Sequence, residues 1–297
     1  MARDLWEHSS AVKELFGVAS EVTGVDLQRL LFEGTEDQLR ATDRTQIAVT
    51  LANLSAAKVL TEVGITGDGF AGFSLGEYSA LHLAGVISTE DIFAIAKERG
   101  VAMEEASRAS DTPEGRSGMA AVVGLPPEQV EEAISQLRPG TIFIANYSSP
   151  RQVVLAGTAG GLHASEVACK KAGARRFIPL KVSGPFHSPL LQDAADRLAE
   201  VLSNVPFNNP KYPVYANVTG TLVSSGSQAR ELCIKQVVSS VRWTDEVLTL
   251  QDAGFERYLE VGPGQVLSGL FRGFPGNIRC EAAGTLEAIK EVAVASA

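Results

Sequence analysis

The sequence predicts an α/β protein in which a large domain with a mostly parallel sheet carries an inserted small α+β domain. Three observations predict it. First, Gly72-Phe73-Ser74-Leu75-Gly76 has the G-x-S-x-G form of a strand–turn–helix elbow, the signature of α/β-hydrolase-like sheets. Second, strand and helix signals alternate along most of the 297 residues. Third, six short elements between residues 117 and 183 run β-α-β-β-α-β, the ferredoxin-like order, in a span of roughly 65 residues. The expected division is residues 1–116 with 184–297 as the large catalytic domain and 117–183 as the small one.

The elements follow in order. Leu5 to Val22 and, more strongly, Thr45 to Val63 carry apolar residues at helical spacing. Gly67 to Phe73 is the strand before the elbow, although its glycines give it poor strand propensity. Ser88-Thr89-Glu90-Asp91 caps a helix that runs through Arg99 to Arg108, and the polar stretch Ser110 to Ser117 marks a boundary. The small unit then reads as strand Met119–Leu125, helix Pro127–Leu137, strands Thr141–Tyr147 and Gln152–Gly157, helix Gly160–Ala172 and strand Arg176–Val182. Helix Leu190–Leu202, strand Val214–Val218, helix Ala229–Ser239, strand Arg257–Val261 and a terminal helix complete the chain.

Hydrophobic residues at 45% and charged residues at 21% give an ordinary globular balance that disfavours disorder. A net charge of −9 excludes a dedicated nucleic-acid binder, which needs clustered cations. One basic cluster stands out: Lys170, Lys171, Arg175, Arg176 and Lys181. It reads as a solvated helix end or as a landing site for an acidic partner. Cys169, Cys233 and Cys280 are scattered and suggest neither a disulfide framework nor a metal site, which fits a reducing cytoplasm. No apolar run reaches bilayer length and no signal-peptide pattern opens the chain.

An elbow serine sits at the positive end of the following helix, where its Oγ can attack a carbonyl. The same residues also fit a capping box, Ser74-x-x-Glu77, with no chemistry. A serine nucleophile needs a base, and there are four histidines. His8 and His163 lie among polar neighbours in helices, and His82 lies two turns beyond Ser74. His187 differs: two prolines and a glycine shape its loop, Ser183-Gly184-Pro185-Phe186-His187-Ser188-Pro189, and the prolines supply the stiffness that holds an imidazole in one orientation. Asp193 and Asp245 are candidates to orient the base, but neither sits in a motif.

The ordered set GFSLGEYSAL (72–81), Glu98-Arg99-Gly100, GMAAVVGL (118–125), SGPFHSP (183–189), Gln236, Trp243 and EVGPG (260–264) resembles the malonyl-CoA:acyl carrier protein transacylase family over nearly the whole chain. The acyltransferase domains of polyketide synthases are its relatives. The resemblance implies transfer of a malonyl group from coenzyme A to an acyl carrier protein in fatty-acid synthesis, by a cytoplasmic monomer needing no cofactor or metal and binding no membrane. It assigns Ser74 the acyl ester, His187 the base, the Gln236 carbonyl the orientation of that base and the Leu75 N–H an oxyanion contact. It gives Arg99 the free malonyl carboxylate, which a guanidinium fork binds bidentately as lysine does not. It places Phe186, Phe73 and Gln152 against substrate, and it makes Lys170, Lys171, Arg175 and Arg176 a carrier-docking face. Alternatives are a polyketide acyltransferase, a serine thioesterase, and an inactive carrier-binding relative.

Three departures from the family pattern stand out. Phe73 replaces a histidine before the serine, and Ser148 replaces the second asparagine of the loop leading to Gln152. The family also opens with a strand and a glycine- and glutamine-rich turn that gives a second oxyanion donor, and Met1 aligns just after that turn. The expectation is that the natural product begins upstream; an intact mass of the native protein equal to this chain would refute it.

Overall fold

The computed structural model describes residues 1–35, 38–39, 42–276 and 278–295. Ser9 divides the first expected helix into Arg3–His8 and Ser10–Thr23, because its extended backbone lets its hydroxyl accept the Val12 N–H at 3.2 Å. The helices Thr42–Glu62 and Thr89–Ala109 pack together and bury Leu51, Leu54, Ile92 and Phe93 in the main core. The helix Gln192–Ser203 adds Leu198 and Leu202 to it.

Between Gly67 and Phe73 the described strand contact shrinks to one residue. Phe70 bridges in parallel to Val214, with its N–H on Pro213 O at 2.8 Å and its carbonyl taking the Tyr215 N–H at 3.1 Å. The glycines here serve close approach rather than pleating. A Cβ at Gly69 would meet the Phe255 ring at 2.5 Å, and one at Gly72 would collide with the Gly76 backbone. Strand β5 (Tyr215–Ala216) pairs antiparallel with β6 (Thr221–Leu222), and β7 (Tyr258–Glu260) pairs in parallel with β8 (Cys280–Ala282).

The small sheet consists of β1 (Gly118–Val123), β2 (Ile142–Ser149), β3 (Gln152–Gly157) and β4 (Arg176–Pro179). Its spatial order is β2-β3-β1-β4 with every pair antiparallel, the order of two interleaved split β-α-β units. Helices Pro127–Ser135 and Ala159–Lys171 supply the crossovers. Strand β3 is buried on both faces. Val153 and Leu155 join one apolar cluster, while Val154 and Ala156 join another that Phe186 reaches. The molecule is thus a mixed α/β fold with a small sheet-bearing part beside a larger one. Among the described residues, no helix is long and apolar enough to cross a membrane.

Candidate active site

Ser74 occupies a strained turn. It precedes the helix Leu75–Leu83 with φ 52° and ψ −110°, and its side chain caps nothing. The non-glycine residues with positive φ are Ala2, Ser74 and His187 among the described residues. Such a conformation costs on the order of 1–3 kcal/mol and persists only where surroundings enforce it. The capping-box alternative fails on geometry: the Glu77 carboxylate turns inward and accepts the Asn217 N–H at 3.2 Å.

His187 meets this serine. Its Nε2 lies 2.7 Å from Ser74 Oγ, and its Nδ1 lies 2.8 Å from the Gln236 carbonyl. A carbonyl only accepts, so Nδ1 carries the proton and Nε2 offers its lone pair to the hydroxyl. The loop is held from behind. A Cβ at Gly184 would clash with Ser107, so glycine lets the loop lie against the helix that also bears Arg99. Burial first, then the Arg99 charge, lowers the imidazole to about 4, so it stays neutral across ordinary pH. Asp193 and Asp245 are absent from this pairing: Asp193 is exposed and Asp245 bonds Arg242 at 2.5 Å.

Arg99 is only 2% exposed. It donates to Gln46 Oε1 at 2.6 Å and Gln236 Oε1 at 3.1 Å, reaches Ser74 Oγ at 3.5 Å, and lies 5.3 Å over the Tyr78 ring. Its Nε has no partner, and among the described residues no carboxylate lies in ion-pair range of it. A buried guanidinium without a counter-ion is costly unless an anion completes it.

Beneath these groups lies a polar layer that sequence reasoning missed. The Ser74 N–H donates to Asn217 Oδ1 at 2.7 Å, and Gln236 Nε2 donates to the Ser74 carbonyl at 3.0 Å and to Glu77. Asn217 Nδ2 donates to Gly72 O at 2.7 Å and to Glu246 Oε1 at 2.6 Å. Burial raises Glu77 to about 7 against the pull of Gln236, Asn217 and Arg99. Burial, reinforced by Glu77, holds Glu246 well above the ordinary carboxylate range. The motifs carried no signal for Gln46, Asn217 or Glu246, and Glu77 showed only as a cap.

The remaining predicted residues fall around this centre or away from it. Leu75 begins the helix; its neighbours' N–H groups are taken, Ser74 by Asn217 Oδ1 at 2.7 Å, Gly76 by Phe73 O at 2.9 Å and Glu77 by Ser74 O at 3.1 Å, which leaves the first helical N–H as the one suited to an anion. Phe73 packs edge-on against Trp243 at 5.6 Å, and half-buried Phe186 joins both the main core and the small sheet. Gln152 starts β3, paired with Val123 and Ser149, outside the hydrogen bonds that join Ser74, His187, Arg99 and Gln236. Lys170, Lys171, Arg175, Arg176 and Lys181 are all exposed, with Lys170 paired to Glu166 at 2.6 Å. His8 and His163 are exposed, and His82 Nδ1 binds Ile87 O at 3.0 Å.

A hydroxyl bonded to a neutral imidazole, at the start of a helix, is equipped for acyl transfer through an ester. Comparison with known proteins agrees: residues 1–287 match the acyl transferase domain family. The chain belongs to that family. This acyl transferase is 36% identical to the malonyl CoA-acyl carrier protein transacylase of Bacillus subtilis over 92% of this chain and 85% of that one. Its fold matches the transacylase of Coxiella burnetii with a TM-score of 0.93 and 30% identity, covering 99% of this chain and 92% of that one. A malonyl-transacylase solved in complex with a type II polyketide acyl carrier protein superposes with a TM-score of 0.93 and 35% identity, covering 99% and 94%.

Proposed function

We propose that this acyl transferase moves a malonyl group from malonyl-CoA to the phosphopantetheine thiol of an acyl carrier protein, in fatty-acid synthesis, through a malonyl-Ser74 intermediate. The observation that carries the reading is the convergence of the Ser74 hydroxyl, the His187 imidazole and the unpaired Arg99 guanidinium within hydrogen-bonding reach. His187 Nε2 takes the Ser74 proton as Oγ attacks the thioester carbonyl. The Leu75 N–H steadies the oxyanion, the carbon–sulfur bond breaks, and coenzyme A leaves with the proton from His187. The carrier thiol then gives its proton to His187, attacks the ester and restores the serine. Gln236 keeps the imidazole oriented through its carbonyl, as an aspartate does in the usual triad.

Arg99 selects an acyl group that ends in a carboxylate, because only such a group completes its buried charge. The Phe186 ring leaves little room for a branched acyl chain, and Phe73 and Gln152 are further substrate contacts. Residues 117–183 form a unit that presents Lys170, Lys171, Arg175 and Arg176 to an acidic carrier, from a chain that acts as a cytoplasmic monomer with substrates but no cofactor. Incubation with malonyl-CoA followed by intact and peptide mass spectrometry tests the reading. A malonyl adduct on Ser74 that a carrier discharges supports it. Steady release of malonate without carrier indicates a hydrolase, and no adduct refutes it.

A further inference from the structure

We propose that Asn217, anchored by Glu246, is a positioning residue that holds Ser74 in its reactive conformation. The proposal rests on the reading of Ser74 as the acyl-carrying residue. Asn217 follows β5 and is fully buried. Its carboxamide spans the elbow: Oδ1 takes the Ser74 N–H at 2.7 Å and Nδ2 gives to Gly72 O at 2.7 Å, the residues on either side of Phe73. One side chain thereby does what a neighbouring strand does for two alternate residues of a ladder. No described strand pairing reaches Gly72 or Ser74. The positive φ of Ser74 therefore needs another restraint, and the carboxamide is in place to give it.

The orientation of that carboxamide is fixed. A flip would set an NH2 against the Ser74 N–H and an oxygen against the Gly72 carbonyl, two repulsive contacts. Glu246 Oε1 takes the second Nδ2 hydrogen at 2.6 Å and fixes the same orientation. Glu246 is itself fully buried, and its Oε2 has no hydrogen-bond partner. Gln236 Nε2 lies 3.3 Å from Asn217 Oδ1 and 3.0 Å from the Ser74 carbonyl, while the Gln236 carbonyl holds His187. The nucleophile and its base thus hang from one buried carboxamide pair. Asn217 touches neither substrate nor the reacting atoms in this arrangement. It acts through the Ser74 backbone, and a displaced Oγ would lose alignment with its base.

Three readouts test the assignment in the full-length protein: the single-turnover rate of malonyl-Ser74 formation, the malonyl-CoA KM and the rate of Ser74 labelling by a fluorophosphonate. Asn217→Ala and Asn217→Asp are expected to slow both malonylation and labelling about 100-fold, the cost of a misplaced reacting group. The malonyl-CoA KM should stay within about threefold and final labelling should still reach completion. Glu246→Ala should slow both reactions about tenfold, and Glu246→Gln, which keeps an oxygen for Asn217, should rescue most of that loss. A role in folding alone predicts less competent protein that reacts at the wild-type rate, and that result overturns the proposal. So does Glu246→Gln as slow as Glu246→Ala, a comparison that decides the matter even if the Asn217 variants do not fold. A wild-type protein labelled by fluorophosphonate but never malonylated would sink the malonyl reading, while the labelling rates still judge the clamp.

Discussion

The small antiparallel sheet and the surroundings of Ser74 are built on opposite principles. In the sheet, apolar side chains line the core on either face, and Asn146, Ser148 and Ser149 of β2 are the polar residues buried with them. Val153 and Leu155 of β3 fill one core, and Val154 and Ala156 fill the other. Around Ser74 the buried residues are polar: Glu77, Arg99, His187, Asn217, Gln236 and Glu246 are all shielded from water. Their partners lie far apart along the chain, as with Ser74 and Gln236, and both His187 and Ser74 itself sit at positive φ. Burying an ionisable group without its full set of partners costs free energy that a sheet of valines and leucines never meets. The sheet is made for stability, and the site spends stability on preorganised charge.

Arg99→Ala should break this contrast most visibly. Loss of a charge-assisted fork to the malonyl carboxylate should lower kcat/KM for malonyl-CoA about 100-fold and move preference toward acetyl-CoA. An unchanged malonyl-to-acetyl ratio would remove the carboxylate role. The next effect is on pH. His187 is held at about 4, so the acid limb of kcat/KM should fall between about pH 4 and 5 rather than near the ordinary histidine value. Arg99 contributes to that depression, so Arg99→Ala should move the limb upward. A bound malonyl carboxylate offsets the same charge, so the limb of kcat should lie above that of kcat/KM. Stability carries the same sign. The unfolded chain takes the proton first, so the contribution of His187 is whole above pH 6.5 and declines as pH falls toward 4, by on the order of 3 kcal/mol. Urea titrations of wild type and His187→Gln across that range measure it.

Smaller effects belong to the sheet-bearing part. Lys171→Glu with Arg175→Glu should raise the carrier KM about fivefold and leave the malonyl-CoA KM unchanged, since both side chains are exposed. An unaltered carrier KM places docking elsewhere. Leu155→Ala empties a fully buried position and should cost about 2–5 kcal/mol in denaturant titration. The rate of Ser74 malonylation per folded molecule should not change. A slowed rate would show that the sheet tunes the site.

The order of strands and helices between 117 and 183 was readable because short-range patterning decides it. Period-2 alternation, turn glycines and capping residues all act within a few positions. Ser74 and His187 were readable for a different reason, since each stands in a motif whose local stiffness or spacing leaves a mark, whereas Arg99 was marked only by the family resemblance. The first helix was misjudged because Ser9 interrupts an apolar pattern that otherwise continues, and its hydroxyl prevails over periodicity. The strand before the elbow shrank because Gly69 and Gly72 answer to Phe255 and Gly76, neighbours that a propensity scale does not see.

From the sequence alone came the fold class, the element order of the small unit and two side chains with matched chemistry, Ser74 and His187, because each is marked by residues close in the chain. The residue patterns left Asp193 and Asp245 open beside the Gln236 that the resemblance named, and the tertiary structure placed the Gln236 carbonyl on His187; it alone revealed that Arg99 is buried with no counter-ion among the described residues and that Asn217 and Glu246 underlie the elbow. Those are hydrogen bonds between segments more than a hundred residues apart or between elements folded over one another. Their formation depends on how whole helices and strands pack, and no local pattern of residue types records it.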